Sequence, residues 1–198
     1  VWRQADRYDV PRIAYINKMD RIGADYFRAV KMIEDNLNSE VAIIQLPIGV
    51  EDNFRGVIDV VRLKAFEYQD DLGEKLIIRD LEQSEQEQAD KYRTLLLEKL
   101  SEYDDSVLEK YLEGQEITLD EIISSLRKLT ITNKLVPVLC GSSFKNKGVQ
   151  MLLDAVVNYL PSPVDIPPIS ATNLIDNSDT LINADRHDPL CALAFKVS

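Results

Sequence analysis

Short apolar runs, each followed by a polar loop and then a helix-period segment, recur along the chain. Ile13-Ala14-Tyr15-Ile16 leads into the polar Asn17-Lys18-Met19-Asp20, and Phe27, Val30, Ile33 and Leu37 then recur at helical spacing behind Asp25, a predicted N-cap. Far downstream, Leu135-Val136-Pro137-Val138-Leu139 leads into Cys140-Gly141-Ser142-Ser143 and on to Val149, Leu152, Val156 and Leu160, again at helical spacing. Strand, polar loop and helix is the repeating unit of a doubly wound α/β sheet, whose ligands bind beyond the carboxyl ends of neighbouring parallel strands. The two loops are therefore expected to meet over one ligand.

From Asp20 to Ser142 is 122 positions, far more than one helix and one strand need, so something is inserted. Val41 to Leu46, Gly56 to Leu63 and Lys75 to Leu81 are short, aliphatic and separated by turn-like Gly49 to Asn53 and Gln69 to Gly73, which predicts a small antiparallel sheet. Three helices follow. Ser84 with Glu87 reads as a capping box ahead of Ala89, Tyr92, Leu96 and Leu100; Val107 to Leu112 stops at Gly114; Thr118 with Glu121 caps a helix carrying Ile122 and Leu126. Tyrosines 92, 103 and 111 read as packing. Residues 41–128 thus form an expected α+β unit inside an α/β domain made of 1–40 and 129–163. Beyond it, Pro161, Pro163, Pro167 and Pro168 stiffen a linker, and Cys191, Leu193, Phe195 and Val197 alternate as a strand within 164–198.

Composition narrows the chemistry. In 198 residues, 23 basic and 34 acidic side chains leave a net charge of -11, which argues against a broad grip on nucleic-acid phosphates and for protein partners. No uncharged apolar stretch approaches the ~20 residues that span a bilayer, and no targeting segment is evident, so a cytoplasmic location is expected. The two cysteines, Cys140 and Cys191, read as reduced, partly buried thiols, and the single histidine, His187, as a solvated loop residue; no metal-ligand spacing is seen.

Asn17-Lys18-Met19-Asp20 answers a definite chemical need. Guanine presents a ring N–H beside an exocyclic amine, and one carboxylate can accept from both in charge-assisted fashion. Adenine has no such pair, so a buried Asp20 would stay unpaired against it. Lys18 would lay its methylene stem across the base. Asn17 would tie the loop to neighbouring backbone or to the purine edge. On the second loop, Gly141 admits a close backbone approach, and the amide of Ser142 or Ser143 is expected to donate to the guanine carbonyl. The bland alternative for the first loop is a polar turn after a strand.

At these residues the chain closely resembles translation elongation factor G. The resemblance runs through Asn17-Lys18-Met19-Asp20-Arg21 with Gly23-Ala24-Asp25, Gln45-Leu46-Pro47-Ile48-Gly49, Gly56-Val57-Ile58-Asp59, Lys110-Tyr111-Leu112-Glu113-Gly114, and Cys140-Gly141-Ser142-Ser143 continued by Phe144-Lys145-Asn146-Lys147-Gly148-Val149-Gln150. It ends with Tyr159-Leu160-Pro161-Ser162-Pro163 and Asp165-Ile166-Pro167-Pro168. It implies part of a P-loop GTPase sheet whose guanine-binding residues are Asn17, Lys18, Met19, Asp20, Ser142 and Ser143. It also implies GTP and GDP as ligands, the ribosome as partner, and translocation of tRNA and messenger RNA as the task of the parent factor. The insert would be the family's G-prime subdomain, which in the family is thought to touch the acidic stalk protein of the ribosome; Arg62 and Lys64 with Val61 and Leu63 are the expected patch. The terminal strand would open a β-barrel second domain. The family usually has Ser-Ala where this chain has Ser142-Ser143, a change the backbone contact should tolerate.

No Gly-x-x-x-x-Gly-Lys-Ser/Thr loop and no Asp-x-Pro-Gly-His segment occurs in the chain. Val1 is not an initiator methionine, and Val1 to Ala5 reads as the tail of a helix. The expectation is an internal fragment that lacks the phosphate-binding half, does not hydrolyse GTP by itself, and takes its magnesium ligands from an upstream segment. A stand-alone module docking on the stalk, or a sister ribosomal GTPase such as a release or ribosome-protection factor, are the competing readings.

Overall fold

A computed structural model describes residues 1–173, 177–188 and 190–192, as two units, Val1–Leu160 and Pro161–Ser198. In the first, the elements are α1 (Trp2–Arg7), β1 (Ala14–Ile16), α2 (Tyr26–Leu37), β2 (Val41–Ile43), β3 (Gln45–Ile48), β4 (Gly56–Asp59), β5 (Lys64–Tyr68), β6 (Leu76–Arg79), α3 (Gln83–Ser101), α4 (Asp105–Leu112), α5 (Leu119–Ile131), β7 (Val136–Cys140) and α6 (Val149–Tyr159). The second unit holds, among the described residues, a 3-10 turn, Pro163–Asp165, and the hairpin β8 (Ile169–Thr172) and β9 (Asp179–Ile182), a pairing that the proline pattern hides.

Two sheets share the first unit. β1, β7 and β2 pair in that order, all parallel, with Ala14 opposite Val138 and Val41 opposite Val136. β7 is therefore central although it is the last of the three in sequence, and every residue of it is buried. That burial on both faces explains why Val136 to Cys140 is apolar throughout instead of alternating. β3, β4, β5 and β6 pair antiparallel in sequence order.

The run Val41 to Leu46, expected as one strand of the insert, is divided between the sheets. Ile44 is the crossing point: its N–H donates to the Val138 carbonyl on β7 at 3.2 Å, and its carbonyl accepts from Val60 N–H at 3.0 Å. Val41 to Ile43 thus belong to the parallel sheet, and the inserted sheet starts at Gln45, later than the expected boundary at residue 41. β5 goes beyond the sequence reading; its Lys64, Ala65, Phe66, Glu67 and Tyr68 lack a continuous aliphatic signal, and it forms by pairing with β4 and β6.

Local signals place most helices. Asp25 caps α2 by accepting from Arg28 N–H, and Thr118 with Glu121 forms the capping box of α5. The box of α3 lies two positions earlier than expected, on Glu82 and Glu85, and Arg79 holds Glu85 through paired contacts of 2.7 and 2.9 Å. Gly114, at φ 65°, ends the segment after α4 in the left-handed region. On α6 the buried positions are Met151, Ala155 and Tyr159, while Val156, expected inside, is exposed. On α2, likewise, Tyr26 and Val30 are buried and Phe27 is exposed, where it stacks on the half-buried Tyr92 at 5.6 Å between ring centres. Of the other two tyrosines, Tyr111 is half-buried and Tyr103 is exposed.

Cys140 is buried and Cys191 exposed, both as free thiols, and the exposed His187 donates its backbone N–H to Asp185. Leu193, Phe195 and Val197 of the expected terminal strand lie outside the described residues. No helix among the described residues is long and apolar enough to cross a membrane.

Candidate functional site

The loops that leave β1 and β7 lie side by side because those strands are parallel neighbours, with Ile16 opposite Cys140. Their backbones join directly: Gly141 N–H donates to the Ile16 carbonyl at 3.0 Å, and Met19 N–H donates to the Gly141 carbonyl at 3.1 Å. Gly141 is required there, since a Cβ would overlap the Tyr15 hydroxyl and the Lys147 carbonyl oxygen.

Asn17 spans the gap between the loops. Its Oδ1 accepts from Ser143 N–H at 3.0 Å and from Lys18 N–H at 2.8 Å, and its Nδ2 lies 2.8 Å from the Ser143 hydroxyl. Of the two roles expected for Asn17, this is the tie to backbone. The Lys18 bond also holds an uncommon conformation: Lys18 sits at φ 65°, a region that costs a non-glycine residue about 1–3 kcal/mol and persists where surrounding contacts offset that cost. Lys18 is exposed at the surface of the loop.

Met19 and Asp20 turn inward. The Met19 side chain is 1% exposed and belongs to the hydrophobic core, so it anchors the loop from within. Asp20 is 9% exposed, and its Oδ1 is buried with no hydrogen-bond partner. Burial pushes the Asp20 carboxyl up, but a hydrogen bond from the Ser142 side chain, a backbone hydrogen bond and the positive charges of Lys145 and Arg21 outweigh it and hold the group below the usual carboxylate range. Asp20 is thus an ionised carboxylate with an oxygen to spare.

Ser142 and Ser143, expected to offer an amide to the guanine carbonyl, are bonded within the protein. Ser142 is fully buried; its N–H donates to the Lys147 carbonyl at 2.8 Å, and Lys147 N–H returns a bond at 2.9 Å. With Ser143 N–H committed to Asn17, both amides assigned from sequence to the guanine carbonyl are engaged within the protein. The two serines shape the loop, and the Ser142 hydroxyl steadies Asp20.

Residues of the inserted sheet also reach the loops, and motif reading misses them. Glu51 N–H donates to the Met19 carbonyl at 2.9 Å, and Glu51 Oε1 accepts from Gly23 N–H at 2.7 Å. Tyr68 accepts from Gly148 N–H at 2.9 Å and donates to Gln150 Oε1 at 2.6 Å; Asn146 Nδ2 donates to the Gly73 carbonyl at 3.3 Å. Gly49 and Gly73 are the available signals, because both mark tight turns, at φ 75° and 67°.

Residues 1–162 match the family model described as the elongation factor Tu GTP binding domain. Along its whole length the chain is 61% identical to elongation factor G 2 of Syntrophomonas wolfei subsp. wolfei (strain DSM 2245B / Goettingen), of which it spans 28%. A crystal structure of a Thermus thermophilus protein matches 85% of this chain and 26% of that one, with a TM-score of 0.73 and 29% identity. The chain therefore spans little more than a quarter of either relative. With its paired strand-loop-helix units and the match over residues 1–162, the chain belongs to the elongation factor Tu GTP-binding domain family and is of the elongation factor G type.

Proposed function

We propose that this stretch reads the guanine base for a ribosome-dependent translational GTPase whose hydrolysis drives movement of tRNA and messenger RNA. The observation that carries the base-reading role is the buried, unpartnered Oδ1 of the ionised Asp20 at the junction of the two loops. Guanine N1–H and its 2-amino group supply adjacent donors for a carboxylate that has this oxygen to spare. Adenine would desolvate the carboxylate without satisfying it, and loss of a hydrogen bond to a charged group costs about 1.5–3 kcal/mol, roughly 10- to 150-fold in affinity. Asn17 ties the two loops together, and Lys18 is exposed beside that tie. The phosphates and their magnesium ion lie beyond what these residues build.

Binding to the ribosome belongs to the same proposal and is supported by the likeness to elongation factor G. The stalk contact expected at residues 61–64 gains no support from the geometry. Val61 is 2% exposed, Arg62 is paired with Asp59 at 2.8 Å, and Lys64 is paired with Asp80. A deletion of the whole of 41–128 would also remove β2 from the parallel sheet and Glu51 from the guanine loop, so point variants are the sounder probes of docking.

The test of base reading is Asp20→Asn in the intact protein. Its amide accepts and donates, so GDP affinity should fall while xanthosine diphosphate, which carries a carbonyl in place of the amine, gains. A variant that keeps its preference for GDP over xanthosine diphosphate overturns the assignment.

A further inference from the structure

We infer that Glu51 is a positioning residue for the guanine-reading loop, so that the inserted sheet controls how fast nucleotide leaves; this rests on the base-reading role proposed for Asp20. Glu51 lies in the turn between β3 and β4, yet it bonds to the loop after β1 on both sides of Asp20. Its N–H holds the Met19 carbonyl at 2.9 Å, and its Oε1 takes the Gly23 N–H at 2.7 Å. Asp20 is therefore suspended between two points that the insert holds.

The turn is built to present those groups. Gly49 adopts φ 75° with the Asn53 carbonyl occupying the space a side chain would need, which folds the turn back on itself. Glu51 itself sits at φ 54°, and its carbonyl accepts from Phe54 N–H at 2.9 Å. A non-glycine residue in the left-handed region persists where surrounding contacts hold it there, as the bonds to Met19, Gly23 and Phe54 do for Glu51. Neither bond to the guanine loop is needed to close the turn, since Asn53 N–H to the Val50 carbonyl and Arg55 N–H to the Ile48 carbonyl, both at 3.0 Å, close it already.

The second guanine loop leans on the same sheet. Tyr68 of β5 receives Gly148 N–H, the Gly73 carbonyl receives Asn146 Nδ2, and the Phe54 carbonyl lies 3.5 Å from the buried ammonium of Lys147. Both walls of the base pocket are thus mounted on the inserted sheet as well as on the parallel one. A displacement of the sheet moves Asp20 and the Ser142 hydroxyl that steadies it, and a base held by Asp20 is released.

The experiment is the dissociation rate of a fluorescent GDP from the intact protein, for wild type, Glu51→Ala, Glu51→Gln and Asp20→Asn. Loss of the side-chain acceptor should speed dissociation about tenfold or more in Glu51→Ala, the size of one hydrogen bond to a charged group, while Glu51→Gln, which keeps a neutral acceptor at the same reach, should recover part of that loss and dissociate more slowly than Glu51→Ala. Hydrogen exchange on the wild type supplies a readout that needs no variant to fold: GDP should slow exchange in residues 17–25 and in residues 49–55 together. A wild-type rate for Glu51→Ala, or protection confined to residues 17–25, overturns the role of Glu51 even when Asp20→Asn switches to xanthosine diphosphate. If Asp20→Asn keeps its preference for guanine, the base reading fails and this inference fails with it.

Discussion

Asn17 Oδ1 accepts the backbone N–H of Ser143 at 3.0 Å, across 126 positions of sequence, and so links the loops after β1 and β7. Asn17→Ala removes this bond together with those to the Ser143 hydroxyl and to Lys18 N–H, and it leaves Lys18 unsupported at its positive φ. GDP affinity should fall tenfold or more, at about 1 kcal/mol for each hydrogen bond lost. Ser143→Ala keeps the backbone bond and should change affinity by less than about threefold. Equilibrium titration with a fluorescent GDP on both variants measures the difference, and equal losses would count against a backbone tie.

The pH dependence of binding follows from the state of Asp20. Its folded-state pKa lies below the ordinary carboxylate value, so the stabilisation it receives is fully present above that ordinary value and is lost only as pH falls through the depressed one. GDP affinity should therefore be flat from about pH 8 down to about pH 5, since an unshifted carboxylate titrates near 3.9. Calorimetric titrations across that range check it, and an affinity that drops between pH 7 and about pH 5 would show a carboxyl with a raised pKa.

Gly141→Ala should be among the most damaging single substitutions in the site. The added methyl meets two oxygens, one on Tyr15 and one on the Lys147 backbone, and overpacking of this kind costs about 1–3 kcal/mol or more. Removing the first obstacle with Tyr15→Phe should not rescue it, because the Lys147 carbonyl is held in place by its bond from Ser142 N–H. Thermal melting of the single and double variants decides; full recovery in the double variant would mean that the side chain alone had blocked the site.

The cysteines should differ sharply in reactivity. Burial pushes the Cys140 thiol far above its ordinary value, whereas Cys191 is exposed. One of the two cysteines in the chain should react rapidly with a water-soluble thiol reagent under native conditions, and the second only after denaturation. Mass spectrometry of the labelled peptides identifies which. Rapid native labelling of Cys140 would mean that β7 opens to solvent.

What the sequence determined by itself was local chemistry. The carboxylate at Asp20 after a β-strand, the glycine at 141, the capping residues Asp25, Thr118 and Glu121, and the two strand-loop-helix units are each written in a few adjacent residues, because donor patterns, φ preferences and helix caps act over short range. Long blocks such as Phe144 to Gln150 carried the family likeness that residues 1–162 then showed by direct match.

Tertiary structure decided what depends on partners distant in the chain. Val41 to Leu46 looks like one strand because its residues are apolar almost throughout, and only pairing with β7 on one side of Ile44 and β4 on the other divides it. The buried faces of α2 and α6 could not be chosen from spacing, since apolar residues such as Phe27 and Val156 repeat with the same period outside the buried stripe. Sequence alone offers the backbone amides of Ser142 and Ser143 to the base, and only the positions of Lys147 and Asn17 show that both are already committed. Glu51 carries no motif at all: its role exists only because the β3 to β4 turn folds against Met19 and Gly23, and hydrogen bonds between segments are set by how sheets pack, which no short stretch of sequence encodes.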